Sequence, residues 1–405
     1  MNLAQQPALN ENAAPFPDMS GRTILQVIPE LGAGGAERTV LEMAEAIIAA
    51  GGTALVVSGG GRLLNDLDLL GARHMTLNVK SKNPFVLRHN AARLAKIITE
   101  YGVDIVHARS RAPAWSAFWA AQRTGTSFVT TYHGAYSAQT KLKRGYNAIM
   151  AKGERVIANS QWTAAHIRAE HNIDEKRLVT IPRGVDLMTF DPGAVSLDRI
   201  AAQRDGWGLA LPKNGLCLLL PGRMTRWKGQ ALALEALALL SPEERDRLGL
   251  VLMGDAQGRS DYVQSLMDNA RAANLNHKVR FMPHTQDMPA AYLASDIVLA
   301  PSTRPEAFGR TAAEASAMGR PVIAADHGGA RETVVEGETG TRFRPSDAAG
   351  LTAALRALIS IGPSARASMG EAGRRHVTDN FSKRGLQRAT LQVYCDVVGE
   401  KMARA

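Results

Sequence analysis

DIVLAPSTRPEAFGRTAAEASAMGRP, residues 296–321, decides the fold class. Its opening DIVLAPS is a short apolar run closed by Pro301 and Ser302, the pattern of a buried strand, and an alanine-rich helical pattern begins near Phe308. A strand that feeds a helix through a short loop is the building unit of a parallel α/β sheet. Glu306 then sits in the strand-to-helix loop, and Glu314 lies about two turns into the helix. At a rise of ~1.5 Å per residue the two carboxylates stand roughly 10 Å apart. Phe308, Gly309 and Arg310 lie between them, where the free amides of a helix N-terminus attract an anion such as phosphate. Two carboxylates flanking a phosphate site suit a nucleotide sugar, one holding hydroxyls of the sugar and the other those of the ribose. A loop glutamate and a solvated helical glutamate are the plainer reading of the same positions.

The strand-then-helix alternation extends through the chain. β-like runs occur at 23–29, 54–58, 104–108, 127–132, 155–160 and 179–185, then at 216–222, 249–254, 279–283, 296–302 and 321–325, with helical stretches between them. This pattern predicts two doubly wound domains with parallel sheets and a junction in the polar stretch near 190–214. The expected division is a polar N-terminal tail (1–21), a first domain (22–195), a second domain (196–380) and a C-terminal helix (381–405). Ligands are expected in a central cleft, outside the carboxyl ends of the strands.

Both domains bring phosphate-directed loops to those ends. In the first, strand 23–29 runs into the loop 31–37, where Gly34 and Gly35 let the backbone approach an anion closely. The loop nearly spells a dinucleotide fingerprint, but Glu37 holds the third glycine position and strand 54–58 ends without an acid for ribose, so a nicotinamide enzyme is a poor second reading. In the second domain, strand 216–222 leads into GRMTRWKG (222–229), and the cations of Arg223 and Lys228 can neutralise a leaving diphosphate. A solvated loop pair is the alternative for those two side chains. His133 lies just past strand 127–132 and before Gly134, placed to hydrogen-bond a sugar and support positive charge at its anomeric carbon. His107, Arg109 and Arg111, at the preceding strand end, are read either as contacts to an anionic acceptor or as plain surface positions.

Composition narrows the class. A chain of 405 residues with 45% hydrophobic content, 37 Gly and 5% aromatic residues fits a two-domain α/β enzyme. Its two cysteines cannot build a cysteine-rich metal site and read as buried thiols in a reducing compartment. Residues 1–21 lack a basic start and a continuous apolar run, and nowhere do ~20 apolar residues follow one another. The expected location is cytoplasmic, with any membrane contact peripheral, at the inner face of the cytoplasmic membrane. The net charge of +10 is concentrated: no acid falls between Asp68 and Glu100, where Arg73, Lys80, Lys82, Arg88, Arg93 and Lys96 all lie. With Phe85, Val86, Leu87, Leu94, Ile97 and Ile98 beside them, these residues resemble an interfacial helix on anionic lipid, and a surface helix packed on its own domain is the competing reading. Nucleic acid is not expected, because the basic runs carry no interleaved stacking aromatics.

GGAE at 34–37, TYHG at 131–134, ANSQWT at 158–163, IPRGVD at 181–186, GRMTRWKG at 222–229 and the pair Glu306 and Glu314 stand in the order and spacing of a known family. From about Arg22 to Ser382 the chain resembles the retaining glycosyltransferases of the GT-B fold, family 4 type, in which two Rossmann-like domains face each other and a C-terminal helix crosses back to the first. The resemblance implies that Gly35 meets donor phosphate, Arg223 and Lys228 bind the diphosphate, Glu306 binds the transferred sugar and Glu314 the ribose. It also implies backbone contacts from Phe308 and Gly309 and a place for His133 beside the reacting sugar. Where the family commonly has Phe-x-Gly, this chain has Phe281-Met282-Pro283, so base contacts fall to Met282 with His284 as a partial substitute, since Pro283 has no amide hydrogen.

The activity so implied is transfer of a hexose, with retention, from a UDP- or GDP-linked sugar to a glycan or lipid-linked acceptor, in lipopolysaccharide or surface-polysaccharide synthesis. No cofactor and no metal are expected, since Arg223, Lys228 and helix amides supply positive charge. Acceptor choice would lie in residues 62–96, 110–115 and 135–150. A nucleotide-sugar epimerase of the same architecture and a catalytically silent scaffold are the alternatives. The first lacks this glutamate pair, and the second is expected to have lost some of His133, Arg223, Lys228 and Glu306.

Overall fold

Strand parity builds the first sheet. In β1 (Thr23–Val27), Leu25 and Val27 face one side and Ile24 the other, all fully buried, with Gln26 buried beside Ile24 and its amide donating to the Val40 carbonyl at 3.0 Å, so both faces are covered as in a central parallel strand. The computed structural model describes residues 14–32, 34–136 and 140–404. Residues 1–13 of the expected tail, Ala33 of the glycine-rich loop and residues 137–139 of the 135–150 loop lie outside them.

The first unit comprises the chain up to Gly184 together with Lys383 onward, and the second comprises Val185–Ser382. Beside β1, the first sheet contains β2 (Thr53–Ser58), β3 (Arg73–Thr76), β4 (Ile105–Ala108), β5 (Ser127–Tyr132), β6 (Arg155–Ala158) and β7 (Leu178–Thr180). All pair in parallel, in the order β3-β2-β1-β4-β5-β6-β7. The second sheet holds β8 (Leu216–Pro221), β9 (Leu248–Met253), β10 (Val279–Met282), β11 (Ile297–Ala300), β12 (Val322–Ala325) and β13 (Gly340–Phe343), again parallel, in the order β10-β9-β8-β11-β12-β13. Both are Rossmann-like doubly wound sheets. Strand order reverses between β1 and β4 in one and between β8 and β11 in the other, the positions where such sheets bind ligands.

Two strands went unread in the sequence, β3 and β13. Both are edge strands, and their segments, RHMT and GTRF, are half-polar because one side has no neighbour. The division between units falls at Gly184 and Val185 rather than within 190–214, because Val185 bridges to Ser382 and Phe190 packs on Tyr292 at 6.1 Å. The C-terminal helix Lys383–Met402 belongs to the first unit, where Leu391, Tyr394 and Val397 enter the core beside Met43 and Ile47.

The helix Pro84–Glu100 packs on its own unit along much of its apolar stripe. Leu87, Leu94 and Ile98 are buried, and Leu94 and Ile98 join the core of the first unit, so most of the apolar stripe faces protein. Its outward face keeps Arg88, Arg93 and Lys96, with Phe85 82% exposed. No single helix among the described residues is long and apolar enough to cross a membrane.

Candidate active site

In the second unit the loops after β8 and β11 converge. Gly222 leaves β8 and a 3-10 turn, Arg226–Lys228, presents Lys228 toward Glu306. The Lys228 ammonium donates to both carboxylate oxygens, to Oε1 at 2.9 Å and Oε2 at 2.8 Å, with side-chain exposures of 13% and 19%. A main-chain bond from Thr303 N to Trp227 O (2.7 Å) ties the two loops together, and one from Gly329 N to Glu306 O (2.8 Å) adds the loop after β12. The Ser302 hydroxyl also donates to Glu306 Oε1, and His327 Nε2 donates to the Ser302 carbonyl at 2.7 Å. Burial raises the Glu306 carboxyl, but the charge and hydrogen bonds of Lys228 and the hydroxyl of Ser302 outweigh it and hold the group below the ordinary carboxylate range. Glu306 is therefore an oriented anion. Gly328 (φ +62°) lies so close beneath it that a Cβ would strike the Glu306 main chain.

Gly309, in the left-handed conformation at φ +83°, turns the chain into the helix Arg310–Ala317, and no side chain caps that helix. Its first-turn amides open beside a small cavity lined by Ser302, Glu306, Gly309, Thr311 and His327. Phe308 is 2% exposed and packs edge-on against Phe381 at 5.4 Å, so its side chain anchors the loop and only its main chain is left for a ligand. Glu314 accepts from the Tyr292 hydroxyl at 3.0 Å and pairs with Arg310 at 3.2 Å, with 17% of its side chain exposed. Arg223 is exposed with no acidic partner among the described residues, while its carbonyl accepts from the Gln230 side chain at 3.0 Å. Met282 ends β10 with its carbonyl already bonded to Gly254 N at 2.9 Å, and His284 is exposed beyond it.

The first unit carries a separate cluster. Gly34 is the N-cap of the helix Gly35–Ala49, and the Glu37 carboxylate folds back against it, so an acid already occupies the positive end of that helix. His133 follows β5, and Arg183 Nη2 lies 2.9 Å from its Nδ1. Burial first, then the positive charges of Arg183 and Arg109, hold the His133 ring well below the ordinary imidazole value. Arg111 donates to Asn147 Oδ1 at 2.9 Å and stacks 4.2 Å over the Tyr136 ring.

His107 and Arg109 are internal rather than surface contacts. His107 is 0% exposed, with Nδ1 at 2.6 Å from the Tyr394 hydroxyl and Nε2 at 2.7 Å from Thr131 Oγ1, which leaves no ring nitrogen for an acceptor. Arg109, 3% exposed, donates from Nε to Gln26 Oε1 at 2.9 Å. Their position inside or at the end of β4, under Tyr394 of the C-terminal helix, explains the difference from His133.

Sequence reasoning passed over Ser302, Tyr292, Arg183 and His327. His327 had a usable signal, since it stands after β12 and before Gly328 just as His133 stands after β5 and before Gly134.

Two family models match in succession, Glycosyltransferase Family 4 over residues 33–188 and Glycosyl transferases group 1 over residues 203–376. A glycosyltransferase from Rickettsia africae of known crystal structure is 36% identical, with a TM-score of 0.86 over 93% of this chain and 98% of that one. The chain belongs to the group 1 glycosyltransferases. Among relatives of this transferase, a D-inositol 3-phosphate glycosyltransferase of Geodermatophilus obscurus is 32% identical over 64% of this chain and 56% of its own length, so the match spans little more than half of that protein. The crystal structure of Anabaena HepE in complex with UDP-glucose shares the fold, with a TM-score of 0.78 and 23% identity over 95% of this chain and 100% of that one. The architecture is GT-B, as the order of motifs implied.

Proposed function

We propose that this transferase moves a hexose from a UDP- or GDP-linked sugar to an anionic glycan or glycolipid acceptor, with retention at the anomeric carbon and without a metal ion. The observation that carries this reading is the Lys228–Glu306 pair at the switch point of the second sheet, with the uncapped helix Arg310–Ala317 starting beside it. Glu306, fixed by Lys228 and Ser302, accepts hydrogen bonds from sugar hydroxyls. Arg223, the remaining N–H of Lys228 and the first-turn amides meet the diphosphate and stabilise the charge that grows on it as the glycosidic bond breaks. Glu314, held by Tyr292 and Arg310, accepts from the ribose hydroxyls. Because these groups supply positive charge themselves, the reaction needs no divalent ion for it. The presence of UDP-glucose in the related HepE structure supports a nucleotide-sugar donor.

For the acceptor, two chemistries have support. The basic outward face of Pro84–Glu100 with exposed Phe85 favours a lipid-linked glycan at an anionic membrane, as in lipopolysaccharide or surface-polysaccharide synthesis. The D-inositol 3-phosphate named for the Geodermatophilus relative favours a soluble phosphorylated polyol. Incubating the full-length protein with radiolabelled nucleotide sugars and each acceptor class, in EDTA, separates them. Label in a lipid extract supports the first and label on inositol phosphate the second, while donor hydrolysis or epimerisation without transfer rejects the transferase reading.

A further inference from the structure

His133 is held by a residue whose chemistry leaves no choice of ring state. Arg183, just beyond β7, points Nη2 at His133 Nδ1 across 2.9 Å. A guanidinium carries N–H donors and no acceptor, so Nδ1 must accept, and a neutral imidazole then carries its proton on Nε2. Every charged or titratable group that acts on the ring favours neutrality: Arg183 from beyond β7, Arg109 from the end of β4 and His107 within it are cationic or potentially so. The Tyr136 hydroxyl bonds the His133 main chain rather than its ring. Nε2 is buried and has no hydrogen-bond partner among the described residues. The result is a fixed, uncharged N–H donor.

We propose that Arg183 is a positioning residue that locks His133 as the neutral Nε2–H tautomer, so that His133 donates a hydrogen bond to an oxygen of the bound ligand and removes no proton from the acceptor hydroxyl. This role rests on the glycosyl-transfer reading for its ligand, but the ring state can be measured without substrate. With Nδ1 engaged by a cation, protonating or deprotonating steps at His133 are closed, and the acceptor proton must leave by another route.

The ring state can be read directly by 15N NMR of the full-length chain labelled at histidine, with His133→Gln identifying the His133 signals among the ten histidines. Wild type is expected to show unprotonated Nδ1 and protonated Nε2 throughout pH 6–8. Arg183→Ala should give mixed tautomers and a higher titration midpoint, and Arg183→Lys should restore the wild-type pattern. In transfer assays His133→Gln, whose amide nitrogen takes the place of Nε2, should keep at least about tenfold more kcat than His133→Asn, whose amide takes the place of Nδ1. A proton on Nδ1 in wild type, an unchanged tautomer in Arg183→Ala, or Asn outperforming Gln overturns the proposal. Absence of transfer by wild type with every donor would instead count against the transferase reading, since the NMR result stands apart from it.

Discussion

Replacing Lys228 with Met isolates the Glu306 carboxylate at the centre of the second unit's site. The lost contacts are two charge-assisted bonds of 2.9 and 2.8 Å between side chains only 13% and 19% exposed. At an effective dielectric constant of ~20, unit charges about 3 Å apart attract by roughly 5 kcal/mol. The dehydration of both ions offsets much of that, but deleting one partner strands the other, at a typical cost of about 3–5 kcal/mol. Ser302 keeps its bond to the carboxylate, so the lower end applies, about 3 kcal/mol. For a unit of this size each kcal/mol moves the melting temperature by about 2–4 °C. Scanning calorimetry of the full-length protein at pH 7.5 should therefore show the second unit's transition lowered by about 6–12 °C. The double variant Lys228→Met/Glu306→Leu should recover at least about half of the loss, because no buried charge remains. Lowering the pH sharpens the test. Glu306 in wild type is held below its ordinary value, so its contribution is present above the unfolded pKa of about 4.3 and fades as pH falls through the folded one. In Lys228→Met the stranded carboxyl takes up a proton at higher pH, so the gap between variant and wild type should narrow below about pH 5. A single variant that melts within about 1 °C of wild type at pH 7.5 would refute this account of the pair.

Arg223→Ala, at an exposed position, should weaken nucleotide-sugar binding by about 10- to 100-fold in calorimetric titration while leaving the melting temperature unchanged; a large drop in stability would assign Arg223 to the fold instead. His107 and His133 sit well below the ordinary imidazole value, chiefly through burial, so their neutral forms stabilise the first unit fully above about pH 6.5 and progressively less as pH falls toward their folded values. Melting temperature should accordingly decline between about pH 7 and 5, and a flat profile across that window would remove histidine burial as its cause. Tyr394→Phe deletes the hydroxyl beside His107 Nδ1 and should cost about 1–2 kcal/mol by denaturant unfolding, with no loss pointing to a silent contact. Replacing Phe85, Arg88, Arg93 and Lys96 with Ser should cut co-sedimentation with anionic vesicles several-fold, whereas equal binding by the variant would free this face of any membrane role.

Much of the architecture was legible because central parallel strands are apolar on both faces and short. β8, β9, β11 and β12 all announce themselves in that way, while β3 and β13, exposed along one edge, carry polar residues that hide them. The helix Pro84–Glu100 shows the converse limit. An apolar stripe beside basic residues reads alike for a lipid-facing helix and a core-facing one, and the burial of Leu87, Leu94 and Ile98 is not visible in it. Glu306 and Lys228 were each visible in their motifs, yet their pairing was not. They are 78 residues apart, and the contact exists because β8 and β11 become neighbours at the switch in strand order. The histidines show why local signals are incomplete. His107 lies inside β4, where Tyr394, 287 residues later, closes over it, whereas His133 comes after the last residue of β5 and is met by Arg183.

The most direct test of the central claim is a calorimetric titration of the full-length protein with UDP- and GDP-linked hexoses in EDTA, run beside Glu306→Gln. Saturable binding of one donor at one site per chain is expected, with a raised melting temperature for the complex and a loss of affinity of at least about tenfold in the variant. Absence of binding by every nucleotide sugar, or equal affinity in wild type and Glu306→Gln, would contradict a donor site built around the Lys228–Glu306 pair.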